Sequence, residues 1–268
     1  SLSGEGLISG ENKMKKINAL FLALGMMSSV HALAAETLRY GLESQYAPFE
    51  SRNAQGELEG FDIELGKAIC ATGNFNCQWV ESSFDALIPA LQAKKFDAIN
   101  SAMNITEARA KSIDFSKPIY RIPSMLIVKE GEKLQPTAEA LKGKNIGVLQ
   151  GSIQETYAKA KWAAQGVNIV SYPNQMEIYP DLVAGRLDAS LANAVSAAQG
   201  FLNTPEGKNY AIQATLVDKD LLGNGVGIGL RKGDVANLKL INDALAQLHA
   251  NGTYDRLAKK YFAFKVYP

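Results

Sequence analysis

Pro89-Ala90-Leu91-Gln92-Ala93-Lys94-Lys95-Phe96-Asp97-Ala98 and, 91 residues further on, Pro180-Asp181-Leu182-Val183-Ala184-Gly185-Arg186-Leu187-Asp188-Ala189 are one ten-residue pattern written twice. Proline, leucine, alanine, a base, an apolar residue and Asp-Ala recur at matching positions. Each copy reads as a helix end feeding a strand, and each follows a unit of strand, helix and strand. Two similar α/β lobes are therefore expected, at a spacing typical of small domains.

Outward from the repeat, short apolar runs alternate with helical patterns, which points to α/β architecture. Candidate strands are residues 38–43, 75–80, 97–101, 145–150, 167–171, 188–192 and 225–231. Candidate helices are residues 61–71, 84–93, 152–164, 176–184 and 195–202, with 235–250 and 253–262 closing the chain. In open α/β sheets, ligands bind beyond the carboxyl ends of strands. That rule singles out residues 43–46, 101–104, 150–154 and Asn193, two clusters from each expected lobe, and places a ligand in the cleft between them. Crossings between lobes are expected near residues 119–125 and 222–225, the second with Gly223 and Gly225 able to absorb backbone rotation. The alternating glycines from Gly223 to Gly229 lack the order and strand context of a nucleotide loop.

The chain carries 28 lysines and arginines against 27 aspartates and glutamates, so no broad basic face is available for nucleic acid or an anionic membrane. Met14-Lys15-Lys16, an apolar run over residues 19–30 and Ala32-Leu33-Ala34 read as a secretory signal peptide cut after Ala34. Residues 1–13 are set aside as upstream sequence. The mature chain is expected to be soluble and periplasmic, with 25 charges of each sign. Cys70 and Cys77 are the only cysteines; an exported context favours a disulfide over two buried thiols. With His31 in the signal and His249 on a C-terminal helix, no metal or other cofactor is expected.

Tyr46-Ala47-Pro48-Phe49, Gly60-Phe61-Asp62-Ile63-Glu64-Leu65, Phe84-Asp85-Ala86-Leu87-Ile88-Pro89, Ile105-Thr106-Glu107-Ala108-Arg109, Asp114-Phe115-Ser116, Gly147-Val148-Leu149-Gln150-Gly151-Ser152 and Asn251-Gly252-Thr253-Tyr254 occur in order along the chain. Together they resemble the polar amino-acid periplasmic binding proteins of ABC importers, and most of all the lysine/arginine/ornithine and histidine receptors. The resemblance runs over residues 38–267 and includes the cysteine pair. It implies a type II periplasmic binding protein fold with a discontinuous first lobe, residues 35–121 and 223–268, and a second lobe, residues 122–222. The implied function is capture of an amino-acid-like molecule by a monomer, without catalysis, for an inner-membrane ABC permease.

The resemblance also implies a site. Arg109 would hold a ligand carboxylate bidentately, helped by backbone amides near Asn104 and Ile153, with residues 152–154 at a helix start that favours anions. Tyr46 and Phe84 would sandwich the ligand's side chain, and Glu43 would face a cationic head. Ser101, Ala102, Met103 and Gln154 complete the expected set. On spacing alone, Arg109 also reads as a solvated surface base, Tyr46 and Phe84 as core aromatics, Glu43 as an exposed strand-end acid and Ser101 as a partner for local backbone. Asn193 stands where relatives use an aspartate for the α-ammonium, and Ala102 and Asn104 stand at their serines. The expected ligand therefore includes those with a substituted or absent amino group, as in opines. The competing class is a dehydratase on the same scaffold, which needs a proton-transfer group in the cleft; Glu43 and Glu155 are the acids near it, and no histidine is.

Overall fold

The computed structural model describes residues 35–267; the expected signal peptide and the residues before it lie outside the described residues. β1 (Glu36–Leu42) leads into a small hairpin, β2 (Ser51–Arg52) and β3 (Leu58–Glu59). Helix α1 (Phe61–Gly73), β4 (Phe75–Glu81), α2 (Leu87–Gln92), β5 (Ala98–Ile99), α3 (Glu107–Ala110) and β6 (Ile113–Phe115) follow. A second series contains β7 (Ser124–Lys129), α4 (Ala138–Leu141), β8 (Asn145–Leu149), α5 (Ile153–Lys161) and β9 (Asn168–Tyr172). It continues with α6 (Ile178–Val183), β10 (Ala189–Asn193), α7 (Ala194–Ala197) and β11 (Tyr210–Leu216). β12 (Gly229–Arg231), α8 (Val235–Ala250) and α9 (Thr253–Tyr261) come last.

The strands form two five-stranded sheets of one topology, β4-β1-β5-β12-β6 and β9-β8-β10-β7-β11. In each, the first three strands are parallel and the last two add antiparallel. The protein is thus a two-lobed α/β fold. β12 returns from the far side of the second sheet to enter the first between β5 and β6, so the chain crosses twice between sheets.

The repeat accounts for the likeness atom by atom. After α2, Ala93, Lys94 and Lys95 donate to Pro89, Leu91 and Ala90; after α6, Ala184, Gly185 and Arg186 donate to Pro180, Leu182 and Asp181. The turn needs a left-handed residue, supplied by Gly185 (φ 78°) in one copy and by Lys94 (φ 61°) in the other. Asp97 then accepts the Arg39 N–H at 2.9 Å, within β1, as Asp188 accepts that of Asn145 at 2.8 Å, at the start of β8, which ties each aspartate to its neighbouring parallel strand. Two residues along those strands, a Cβ on Gly41 would lie 2.4 Å from the Phe96 ring and one on Gly147 2.5 Å from Leu187. Glycine is required there because the repeat's apolar residue lies across the strand.

The predicted strand at 225–231 is shortened to β12, since Val226 is taken by isolated bridges to Asn104 and Tyr120. Those bridges tie the two crossings together: Ile119 N–H donates to Val226 O and Val226 N–H to Tyr120 O, both at 2.7 Å. Gly223 (φ 70°) and Gly225 (φ 123°) adopt conformations that disfavour any side chain. Beneath the crossings, fully buried Phe61 meets Tyr120 and Tyr254 edge-on, at 5.5 and 5.8 Å between ring centres. Cys70 and Cys77 form a disulfide between α1 and β4, with Cα atoms 5.9 Å apart.

Candidate functional site

The strand ends converge as the carboxyl-end rule requires. Beyond β5, the chain turns sharply through Ser101–Asn104, where Ala102 has φ 50°. Asp62, in the first turn of α1, stabilises that conformation: it accepts the Ala102 N–H at 2.9 Å and the Tyr120 hydroxyl at 3.0 Å. Glu50 lies beside it, fully buried, with Oε2 unpartnered as an ion. Burial, reinforced by the adjacent Asp62 carboxylate, drives the Glu50 pKa well above the usual range. A protonated Glu50 hydrogen-bonds Asp62, and the Ser101 hydroxyl donates to its other oxygen at 3.3 Å. One buried acid pair thus joins the turn of the site to Tyr120 in the crossing.

Thr106 caps α3 by accepting the Arg109 N–H at 3.2 Å, which fixes where the arginine starts. Its guanidinium then crosses the cleft. Nη1 donates to Asn104 O at 2.7 Å and Nη2 to Gly151 O, in the second lobe, at 2.9 Å. Its carbon lies 5.8 Å from the centre of the Phe84 ring. Among the described ion pairs none includes Arg109, so its charge meets carbonyl oxygens and the Phe84 ring but no carboxylate. Burial lowers its pKa to about 10, which leaves it charged at neutral pH. A guanidinium has five N–H donors, and these two bonds leave three for a ligand.

The second lobe contributes the start of α5. Ser152 caps it by accepting the Glu155 N–H at 3.1 Å, and Glu155 Oε1 accepts the Gly151 N–H at 3.2 Å. Gly151 (φ 82°) sits so near the first lobe that a Cβ would lie 2.8 Å from Asp85 Cα. Gln154 is held by donating to Ser124 Oγ at 2.9 Å.

Tyr46, Phe84, Ala102, Asn104, Arg109, Leu149, Ser152, Ile153 and Gln154 surround one small void between the lobes. Eight of these nine are residues expected from the sequence, Ser152 through its place at the helix start; Leu149, the last residue of β8, is not. Glu43 opens instead onto a neighbouring cavity of about 320 Å³ shared with Glu81 and, from the second lobe, Pro173 and Asn174. Ser101, Met103 and Asn193 are buried and line neither space. Ser101 Oγ accepts the Glu43 N–H at 3.0 Å. Asn193 caps α7: its Oδ1 accepts the N–H groups of Val195 at 2.9 Å and Ser196 at 3.0 Å. Among the described residues, no group of three or more histidines, cysteines or acids is placed to hold a metal, and no helix is long and apolar enough to cross a membrane.

The profile of the bacterial extracellular solute-binding proteins, family 3, matches residues 38–264. The chain is 49% identical over 256 residues to the lysine/arginine/ornithine-binding periplasmic protein of Escherichia coli, covering 94% of this chain and 98% of that one. It is 49% identical over 258 residues to the histidine-binding periplasmic protein of the same organism, covering 95% and 99%. Among solved structures, an ancestral arginine-binding protein bound to arginine superposes with a TM-score of 0.80 at 34% identity, over 86% of this chain and all of that one.

Proposed function

Given that the chain belongs to the bacterial extracellular solute-binding proteins, family 3, we propose that it captures a basic amino acid or a close derivative in the periplasm and delivers it to an inner-membrane ABC permease. The observation that carries this reading is Arg109, a charged fork in the cleft bonded to a carbonyl of each lobe and with donors to spare. A ligand carboxylate binds there bidentately. Tyr46 and Phe84 flank the ligand's side chain, and Glu43 meets its cationic end. Residues 35–121 with 223–268 act as one lobe and residues 122–222 as the other, rotating about the paired crossings. A ligand that touches both lobes favours the closed form, because only differential affinity shifts the equilibrium. The receptor works as a monomer and releases its cargo chemically unchanged.

A second ligand class is favoured by Asn193. Its Oδ1 is committed to two helix N–H groups, so its remaining polar atom is an NH2 donor. Aspartate in the same pose would keep a second, charged oxygen for an α-ammonium. Asparagine offers such a group nothing to donate to, and Ala102 and Asn104, standing at the serines of relatives, add no hydroxyl. The site accordingly suits a cationic acid whose amino group is substituted or absent. A mass spectrum of small molecules released from the purified, denatured protein tests both classes. A basic amino acid or a derivative is the expected species; a molecule with no carboxylate would overturn the role given to Arg109.

A further inference from the structure

Glu43 sits at the end of β1, 6% exposed, and opens onto the cavity walled on its far side by Pro173 and Asn174. One of its oxygens accepts the Gln45 N–H at 2.9 Å, and among the described ion pairs none includes it. The titratable groups around it are Glu81 on β4, whose charge is already met by Arg52 of β2, then Glu50 below, beside Asp62, and the phenol of Tyr46. The second lobe brings Pro173 and Asn174, neither of them charged. This carboxyl is therefore short of water, close to other acids and without a cation of its own. Burial pushes its pKa up to about 7, with Glu81 adding to the rise and the Gln45 N–H opposing it.

We propose that a cationic ligand docking against Glu43 displaces a proton from it, so that capture of the ligand is coupled to proton release. This rests on the reading of Glu43 as the partner of the ligand's cationic end. The exchange balances: the Glu43 carboxyl gives its proton to solvent, and the carboxylate left behind pairs with the incoming cation. An opposite charge within hydrogen-bond reach stabilises the ionised form and lowers the pKa in the complex. Since the free group is the more basic one, protons compete with the ligand as pH falls through neutrality. From the pKa of the free group, about nine in ten sites hold the proton at pH 6, about half at pH 7 and about one in ten at pH 8. Affinity is then about tenfold weaker at pH 6 than at pH 8. The Arg109 end of the ligand adds no such dependence, because a guanidinium stays charged throughout this range.

Isothermal titration calorimetry with arginine, at fixed ionic strength and in two buffers of different ionisation enthalpy at each pH, measures both affinity and proton release. The expected result is nearly one proton released per arginine at pH 6, about half at pH 7 and almost none at pH 8, with affinity about tenfold higher at pH 8. Glu43→Gln should abolish the release and flatten the pH dependence. Wild-type affinity that stays constant within twofold from pH 6 to pH 8, with no proton exchanged, overturns the proposal. A ligand-free test keeps it separate from the choice of cargo: in protein carrying 13C-labelled glutamate, one carboxyl carbon should titrate near pH 7 and disappear in Glu43→Gln. If arginine fails to bind at every pH, the cargo reading fails. In that case a Glu43 carboxyl that titrates in the ordinary carboxylate range sinks the coupling as well, and one that titrates near neutrality supports it.

Discussion

Replacing Arg109 by alanine isolates the group on which the cleft depends. In the folded chain the side chain makes two hydrogen bonds, at 2.7 Å to Asn104 O and 2.9 Å to Gly151 O, and a contact with the Phe84 ring. Each bond contributes roughly 0.5–1.5 kcal/mol to folding, and water replaces part of it in a cleft that opens, so the free protein should lose little stability. Binding loses far more, because a desolvated ligand carboxylate is left without its cation, at a cost of about 2–5 kcal/mol. That is a fall in affinity of roughly 30-fold to several thousandfold. Arg109→Lys should fall between, since an ammonium keeps the charge but cannot hold both carbonyls and a bidentate carboxylate in one plane. Calorimetry with arginine reads the effect, and far-UV circular dichroism confirms that each variant is folded. A folded Arg109→Ala protein that binds within threefold of wild type would show that the carboxylate lies elsewhere.

Three further outcomes follow from other parts of the chain. Asn193→Asp should strengthen binding of free arginine, lysine or histidine by about 1.5–3 kcal/mol, the contribution of a hydrogen bond to a charged group, and should give deaminated analogues nothing; equal gains for both would contradict the reading of Asn193. Native protein should carry no alkylatable thiol, and a Cys70→Ala/Cys77→Ala double variant should lose roughly 2–3 kcal/mol of stability in denaturant titration, from a bond that closes a loop of sequence separation 7. Lys94→Gly should raise the melting temperature by about 1–3 °C, because relief of a left-handed side chain exceeds the entropy glycine adds to the unfolded chain; a lower melting temperature would mean that the lysine side chain contributes more than its backbone costs.

Much of this architecture was legible because the repeat is carried by local chemistry. The Pro-x-Leu-x-Ala turn, the aspartate that pins the adjacent strand and the apolar residue crossing a glycine are all short-range, and they mark β5 and β10 with their helices. Strands β7 and β11 escaped, as did the short β2, β3 and β6. Residues 119–125 were expected to cross between lobes, yet Ser124–Lys129 already pairs on both sides, with β10 and β11. An apolar run reads alike whether it crosses or joins a sheet, and its partner β11 lies some eighty residues away. The long helical pattern at 152–164 breaks at Trp162, whose ring is 2% exposed in the second lobe's core.

The site divides along similar lines. Arg109, Phe84 and Tyr46 are placed by turns whose residues adjoin them in sequence, and they meet as expected. Leu149 was missed because the pleat, invisible in composition, decides which residue at a strand end faces the cleft. The Glu50, Asp62 and Tyr120 network had no spacing signal at all: its members come from a turn, a helix and a crossing, and only the folded chain brings two acids together under one turn. Asn193 stands out in the sequence as a departure from relatives, but the direction of its amide depends on the start of α7, which only the backbone geometry reveals.

The decisive question is whether this cleft binds a carboxylate and a cation of one small molecule. Calorimetric titration of a chain spanning residues 35–268, unfolded and refolded to strip bound small molecules, with arginine, lysine, ornithine, histidine and their N-substituted and deaminated analogues measures this directly. The predicted result is saturable binding of one molecule per chain by at least one of these cationic acids, lost when either its carboxylate is amidated or its cationic end is removed. Binding that survives both changes, or no binding by any member of the panel to a correctly refolded chain, would contradict it.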